Sequence, residues 1–303
     1  MLDTETCVYF LLMPNSKRNK EHSIMVRGHQ LYKSFSKIHK NTKYIEFQQF
    51  MKSNNNDNKK KVIYLLKPIL KYVTQIKTEN TLFIYDVIDQ IYEKKKYIYD
   101  ICQLSDIIIS PNSKVTEDLN KQFPEKDIYT EHHNWDIQFK NFKRTKILNK
   151  PVFAISGSLN KFEEKILEIF KERIHNLGHV PSIESLNNVN VMLCFRKKQG
   201  SYGKPSTKVA AAAIFDTVFV GTDSYAFKDV LGTDYPYFIP IIKKNNTIAD
   251  LDNIEKLLDK VEKTYNTKIW NDAVQKMQEV KKESHVDAIS QRLYQHIANK
   301  YNN

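Results

Sequence analysis

The sequence contains little glycine, proline or cysteine, and each shortage excludes a class of protein. With 7 Gly and 9 Pro among 303 residues, the chain is neither collagen-like nor a flexible linker. Its cysteines, Cys7, Cys102 and Cys194, are odd in number and widely spaced, which argues against a disulfide framework and a structural zinc site. No run approaches the roughly 18 apolar residues of a membrane span. The first residues are acidic where a signal peptide is basic. These absences predict a cytoplasmic protein.

Positive charge is in excess and lies mainly in the first half of the chain. The 47 Lys and Arg against 35 Asp and Glu give a net charge of +12. Residues 1–150 hold 26 basic and 17 acidic side chains, whereas residues 151–303 hold 21 and 18. This imbalance indicates either a lysine-rich surface that only aids solubility, or an anionic partner for the first half. Such a partner would be nucleic acid, an anionic membrane face or a phosphorylated glycan.

Strand-length apolar runs alternate with helical patterns along the whole chain, which predicts an α/β fold. The chain exceeds the usual span of one hydrophobic core. The polar, basic stretch 140–150, followed by Pro151, suggests a domain boundary. The sequence therefore predicts a domain at 1–148 and a second at 149–278, each with a parallel sheet. Ligands gather at the carboxyl ends of parallel strands, so a cleft between the two domains is the expected binding site.

In the second half, the loop 195–208 carries the strongest signal for a ligand. Pro205 opens a helix, and hydroxyl and ammonium groups cluster beside it. A diphosphate would gain charge-assisted hydrogen bonds there, each worth about 1.5–3 kcal/mol. The alternative is a solvated basic loop. The residues predicted to bind the diphosphate are Arg196, Lys204, Ser206, Thr207 and Lys208.

Two further loops of the second half precede predicted helices and suit an anion. Gly157 and Ser158 come directly before a helix predicted at 161–178, and Ser224 and Tyr225 open another. Each pair is also explained by ordinary helix capping. The first pair is predicted to contact an anion, and the second an anion or a sugar.

The first half offers candidates for acid–base chemistry and for contacts with an acceptor. A carboxylate at a strand end can act as a general base or cap a helix, which applies to Asp86 and Asp89. His133 is a third acid–base candidate. The residues predicted on the acceptor side are Arg27, Gly28, His29 and His132. Two adjacent histidines are too few for a metal site, so the sequence predicts neither a metal nor another cofactor.

The run KPSTKVAAAAIFDTVFVG (204–221) and the following DSYAFKDVLG (223–232) resemble the donor domain of GT-B glycosyltransferases. The resemblance implies two Rossmann-like domains facing across a cleft, with a carboxyl-terminal helix, 279–303, packing back on the first. It also implies a nucleotide-sugar donor in the second domain and an acceptor held mainly by the first. Lys204, Ser206, Thr207 and Lys208 would lie near the diphosphate. Gly157 and Ser158 would lie beside the donor, and Ser224 and Tyr225 near its sugar or phosphate.

The chain departs from the family pattern at several positions. Ala211 stands where many members have the glutamate that holds the donor ribose, and Asp216 and Val218 replace a usual glycine and proline. The expected function is transfer of a hexose or pentose, without a metal, from a nucleotide-sugar to a hydroxyl of an anionic acceptor. That acceptor would be a modified DNA base or a lipid-linked or phosphorylated glycan at a membrane face. A non-catalytic nucleotide- or glycan-binding module, an epimerase and a phosphorylase are the alternatives.

Overall fold

The computed structural model describes residues 1–14, 24–53, 59–87, 96–157, 159, 161–197, 202–242 and 248–302. The chain divides into two compact units. The first comprises Met1–Ile137, Gly203–Pro205 and Ser284–Asn303, and the second comprises Gln138–Tyr202 and Ser206–Glu283. The first unit ends its long N-terminal stretch at Ile137, before the boundary predicted after residue 148. The chain returns to the first unit at Ser284, after the boundary predicted after residue 278.

Six parallel strands form the sheet of the first unit. They are β1 (Cys7–Leu12), β2 (Thr42–Glu46), β3 (Lys61–Leu66), β4 (Thr81–Asp86), β5 (Ile107–Ser110) and β6 (Asp127–Thr130). Their order across the sheet is β2-β1-β3-β4-β5-β6, and every neighbouring pair is parallel.

Helices cover both faces of this sheet. They are α1 (Leu31–Ile38), α2 (Phe47–Ser53), α3 (Leu70–Ile76), α4 (Lys96–Leu104), α5 (Ser113–Gln122) and the C-terminal helix (Val286–Asn302). In β1, Val8 and Phe10 pack in the layer of α1 and the C-terminal helix, and Tyr9 and Leu11 pack in the layer of α2 and α3. Strands covered on both faces are apolar throughout, which is why these runs lack polar alternation.

The second unit has a five-stranded parallel sheet of order β11-β10-β9-β7-β8. Its strands are β7 (Phe153–Ile155), β8 (Ile174–Asn176), β9 (Val191–Cys194), β10 (Val218–Thr222) and β11 (Phe238–Ile239). Its helices are α6 (Lys161–Ile169), α7 (Ile183–Asn187), α8 (Thr207–Ile214), α9 (Tyr225–Leu231), α10 (Ile248–Thr264) and α11 (Lys268–Glu283). The predicted α/β class with two Rossmann-like units is confirmed.

The helix predicted over 161–178 is wrong in its second half. Helix α6 ends at Ile169, and Ile174–Asn176 form an edge strand that pairs with β7. Pairing satisfies backbone groups of β7 that would otherwise form an open sheet edge. Gly178, the last residue of the predicted helix, adopts φ +73° in the segment that follows β8. Local periodicity cannot distinguish these outcomes, because the competing hydrogen bonds come from a strand about twenty residues away.

Within the described ranges, no helix combines the length and apolar character needed to cross a bilayer.

The approach of β10 to β9 requires a glycine at position 221. A Cβ added to Gly221 would lie 2.2 Å from the carbonyl oxygen of Cys194, whereas one added to Gly28 would meet nothing closer than 3.4 Å. We therefore expect Gly221→Ala to lower the free energy of unfolding by about 1–3 kcal/mol, because strand backbone must move. Gly28→Ala is the matched control and is expected to change it by less than about 0.5 kcal/mol. Chemical denaturation followed by circular dichroism measures both, and equal effects would contradict the assigned strand contact.

Candidate functional site

The carboxyl ends of β7, β9 and β10 lie at one edge of the second sheet, because these strands are parallel neighbours. The segments that follow them begin at residues 156, 195 and 223. Most residues predicted to bind a donor diphosphate belong to these segments or to the start of α8. The topology thus gathers at one edge groups that lie up to about seventy residues apart in sequence.

Lys208 and Gly157 are brought into direct contact. The Nζ of Lys208 donates a hydrogen bond to the carbonyl oxygen of Ser156. Gly157 has φ +97°, and a Cβ at this position would lie 2.1 Å from the Nζ of Lys208. Its backbone conformation favours glycine here. A Cβ would also displace the end of the Lys208 side chain from its hydrogen bond to Ser156. This contact places a positive charge in the loop after β7.

The hydroxyl groups of Ser206 and Ser224 are buried without a hydrogen-bond partner among the described residues. Each serine precedes a helix, yet neither side chain caps it. Two other helices do have a side-chain cap, since Asn112 accepts from the backbone N–H of Val115 and Ser182 from that of Ser185. A buried polar group without a hydrogen-bond partner lowers the free energy of unfolding by about 1–3 kcal/mol. Each of these hydroxyls can accept or donate a hydrogen bond to a group outside the polypeptide, such as water or a polar ligand.

Arg196 is held in place by contacts in the second unit. Its backbone N–H donates to the Oγ1 of Thr222 over 2.9 Å, and its guanidinium lies 4.0 Å from the ring centroid of Phe227. A guanidinium on an aromatic face keeps its charge while its orientation is fixed. Arg196 thereby adds a second oriented cation directly after β9.

The remaining predicted donor residues differ in how the structure places them. Thr207 begins α8 and is half-buried, Tyr225 begins α9 and is exposed, and Lys204 is exposed in the short segment that groups with the first unit. Ser158 lies outside the described residues. The donor-binding role of all these residues stays a prediction.

In the first unit, a buried ion pair joins Arg27 to Asp86. Arg27 lies in a π-helical segment, Ile24–Gln30, and its Nε donates to the Oδ2 of Asp86 over 2.7 Å. The pair is almost completely buried, with 1% and 3% of the side chains exposed. Arg27 also donates to the carbonyl oxygen of His132 over 2.9 Å, and the hydroxyl of Tyr64 donates to Asp86. Three residues predicted at the acceptor side or as catalytic groups are thus in contact.

These contacts fix the charges of the pair. Burial by itself would lower the pKa of Arg27, but the Asp86 carboxylate beside it reverses that effect and holds the pKa above its usual value. Burial, followed by the same carboxylate, raises the pKa of Tyr64 well above its usual value. Both hydrogen bonds reach the same carboxylate oxygen, Oδ2 of Asp86. The role of Asp86 as a general base stays a prediction.

The other two predicted acid–base candidates are Asp89, close to Asp86 in sequence, and His133, next to His132. Asp89 falls outside the described residues. His133 is buried, with 3% exposed, and it follows the residue whose carbonyl oxygen binds Arg27. Neither role is tested by the structure, and both stay predictions.

His29 belongs to a group of three rings in the first unit. Its ring centroid lies 5.2 Å from that of Tyr44 and 6.3 Å from that of Tyr32. Burial and then the charge of Lys33 lower the pKa of His29, and burial raises the pKa of Tyr44 to about 12. His29 is therefore a neutral, half-buried aromatic group at neutral pH.

Two ion pairs of the structure were not predicted from the sequence. Glu131 accepts two hydrogen bonds from Arg292 of the C-terminal helix, at 2.9 and 2.8 Å, and nothing local in either segment indicates this pair. Asp216, at the position of a family glycine, adopts φ +51° and accepts from the Nζ of Lys281 over 2.6 Å. Aspartate tolerates the left-handed region, so that departure does not disturb the turn. The described residues include no group of three side chains able to hold a metal ion.

Comparisons with known proteins identify the fold. No family model and no curated protein sequence matches the chain. A glycosyltransferase from Rickettsia africae ESF-5 superimposes with a TM-score of 0.63 at 10% identity, over 98% of this chain and 99% of that chain. A DNA-modifying β-glucosyltransferase, solved with and without uridine diphosphoglucose, gives 0.56 at 13% identity over 97% and 99%.

The pneumococcal O-GlcNAc transferase GtfA, in complex with UDP and GlcNAc, gives a TM-score of 0.59 at 12% identity over 84% of this chain. The chain spans about 60% of the length of GtfA. At these identities the likeness concerns the fold. The fold is of the GT-B type, as the sequence resemblance implied.

The contact between Gly157 and Lys208 predicts a destabilising substitution. Gly157→Ala is expected to lower the free energy of unfolding by about 1 kcal/mol more than Gly178→Ala does. Both glycines have positive φ, but only the Cβ at position 157 meets another atom, the Nζ of Lys208. Differential scanning calorimetry of the two variants isolates the collision from the backbone strain. Identical losses would show that the Lys208 side chain does not occupy this position.

Removal of one partner of the buried Arg27–Asp86 ion pair is expected to lower the free energy of unfolding more than Gly157→Ala does. Arg27→Ala leaves the Asp86 carboxylate buried and uncompensated and is expected to cost about 3–5 kcal/mol of folding free energy. Lys121→Ala removes an exposed helical ion pair with Glu117 and is expected to cost about 0.5 kcal/mol or less. Urea denaturation measures both. A cost for Arg27→Ala as small as for the control would mean that Asp86 is not buried against Arg27.

Proposed function

We propose that the chain is a glycosyltransferase that moves a hexose or pentose from a nucleotide-sugar to an acceptor hydroxyl. The observation that carries the proposal is the pair of buried serine hydroxyls, on Ser206 and Ser224, left without partners at helix starts. They belong to the same sheet edge that holds Lys208 and Arg196. Hydroxyls and cations at one edge suit the oxygens of a diphosphate.

The donor proposal rests on charge as well as on hydrogen bonding. A diphosphate needs positive charge, which Lys208, Arg196 and the exposed Lys204 supply. UDP is present in the structure of GtfA, and uridine diphosphoglucose is named as the substrate of the β-glucosyltransferase. We therefore place a uridine-diphosphate sugar first among the donors to be tested. Ala211, where many GT-B enzymes have glutamate, leaves the ribose to be held by other groups.

In the proposed reaction, the bond from the anomeric carbon to the diphosphate oxygen breaks and a bond from that carbon to the acceptor oxygen forms. The diphosphate leaves with the electron pair of the broken bond and gains negative charge. Lys208, Arg196 and Lys204 stabilise that charge, so no metal ion is needed for this task. The acceptor hydroxyl loses its proton to a base of the first unit.

Asp89 and His133 are the proposed candidates for that base, because Asp86 is engaged by Arg27 and Tyr64. We assign Asp86 and Arg27 a positioning role instead. Their ion pair joins the end of β4 to the π-helical segment and to the carbonyl oxygen of His132, and so supports the segment that carries His133.

The proposed acceptor is anionic. The excess of basic residues in the first half of the chain supports a modified, hydroxyl-bearing base in DNA, or a lipid-linked or phosphorylated glycan at a membrane face. One structural neighbour is a DNA-modifying enzyme. A DNA acceptor would bind with a steep dependence on salt concentration.

Titration of UDP against serine variants tests the donor site. Ser206→Ala combined with Ser224→Ala removes two buried hydroxyls that lack partners, so the Tm of the ligand-free protein should not fall. The affinity for UDP should fall about tenfold or more, because the hydrogen bonds to the diphosphate are lost. Ser182→Ala is the matched control: it removes a working helix cap and should lower Tm without changing UDP affinity.

Titration of UDP against Lys208→Ala tests the contribution of a positive charge to donor binding. The loss of one charge-assisted hydrogen bond predicts about a tenfold to hundredfold rise in the Kd of UDP, whereas Lys165→Ala, on the exposed face of α6, should leave it unchanged. Release of sugar from uridine diphosphoglucose, measured with DNA or anionic vesicles present and with a chelator added, then tests turnover. Binding without any release would favour the non-catalytic module, and unchanged UDP binding in all variants would place the donor site elsewhere.

A further inference from the structure

A cavity of about 230 Å³ lies in the first unit at the edge of the sheet opposite to Asp86. Its wall includes Lys61 and Thr81, the first residues of β3 and β4, and Asp106, which directly precedes β5. Parallel strands all begin at the same edge, so the cavity lies at the amino ends of the strands. Lys300 and Tyr301, in the last turn of the C-terminal helix, complete the wall.

The charges around the cavity are predominantly positive. Asp106 is already neutralised, because its Oδ2 accepts from the Nζ of Lys77 over 2.6 Å and from the backbone N–H of Phe83 over 2.7 Å. The other charged residues of the wall are Lys60, Lys61, Lys300 and Glu79. These residues contribute three positive charges and one negative charge to the wall, an excess that attracts an anion.

The wall formed by the C-terminal helix is ordered by specific contacts. The hydroxyl of Tyr301 accepts a hydrogen bond from the Oγ1 of Thr6 over 2.7 Å. The Nζ of Lys60 lies 4.8 Å from the centroid of the Tyr301 ring, within reach of a cation–π contact. Lys61 is 8% exposed. The wall thus combines the contacts of Tyr301 and the buried Lys61 with two exposed lysines, Lys60 and Lys300.

We propose that this cavity binds a small phosphate-bearing anion. The volume is below the roughly 300 Å³ at which pockets for drug-sized ligands begin, so it suits inorganic phosphate or a small phosphomonoester rather than a nucleotide-sugar. Phosphate oxygens accept strong charge-assisted hydrogen bonds from lysine. The site goes beyond the proposed transferase function, because it uses the amino ends of the strands and none of the residues assigned to donor or acceptor.

Binding at this site would fasten the end of the C-terminal helix to the sheet. The same helix holds Glu131 through Arg292 and packs against α1. A ligand that contacts Lys300 together with Lys60 and Lys61 favours the docked helix by mass action. The anion would therefore stabilise the first unit.

Calorimetric titration of the full chain with inorganic phosphate and, separately, with glycerol 3-phosphate tests the proposal at constant ionic strength. Both ligands should bind and raise Tm, and amide hydrogen exchange in the last turns of the C-terminal helix should slow. Tighter binding of glycerol 3-phosphate would identify a phosphomonoester, and equal or weaker binding would identify free phosphate. The variant Lys60→Gln/Lys300→Gln removes two exposed lysines, so it should fold normally and raise the Kd at least tenfold.

Two controls separate this site from the proposed donor site. Lys121→Gln removes an exposed lysine of the first unit away from the cavity and should leave the Kd of phosphate unchanged. Lys208→Ala should weaken UDP binding but not phosphate binding. The proposal is overturned if Lys60→Gln/Lys300→Gln binds phosphate as tightly as the unaltered chain, or if phosphate binding is lost in Lys208→Ala instead. Failure of UDP to bind would overturn the donor site alone.

Discussion

Burial of both faces of each parallel sheet is the constraint on which the arrangement of this protein depends. Side chains in the middle of a strand, such as Val8 and Tyr9 in β1, pack against helices on either side. Polar side chains that can contact a ligand therefore lie at the ends of strands, where the backbone leaves the sheet. In the second unit, the loop after β7, Arg196 after β9 and Ser224 after β10 all occupy such positions, and in the first unit Asp86 ends β4.

The protein treats its buried polar groups in two different ways. Arg27 and Asp86 lose their hydration but satisfy each other, and Tyr64 and the carbonyl oxygen of His132 complete their hydrogen bonds. Such a network is stiff and holds distant segments in register. Ser206 and Ser224 are buried with their hydroxyls uncommitted. The first arrangement is what a supporting framework requires, and the second is what a binding site requires before its ligand arrives.

The GT-B fold accounts for the positions of these groups, whereas the substrate depends on the side chains themselves. The structural neighbours share between 8% and 14% of their residues with this chain, which is enough for a common backbone and too little to transfer a substrate. Function is therefore argued from the groups themselves. A cationic edge with uncommitted hydroxyls supports a diphosphate donor, while the cavity at the amino ends of the first sheet calls for a smaller anion.

Sequence alone determined the α/β class with two Rossmann-like units and the helix that follows Pro205, because apolar period and helix-start chemistry are local properties. Tertiary structure decided what local patterns leave open. It ended α6 at Ile169, because β7 offered hydrogen bonds to residues 174–176. It paired Arg27 with Asp86, 59 positions away, and directed Lys208 to the loop at Gly157. Partner choice over such separations depends on the packing of whole elements, which no local window contains.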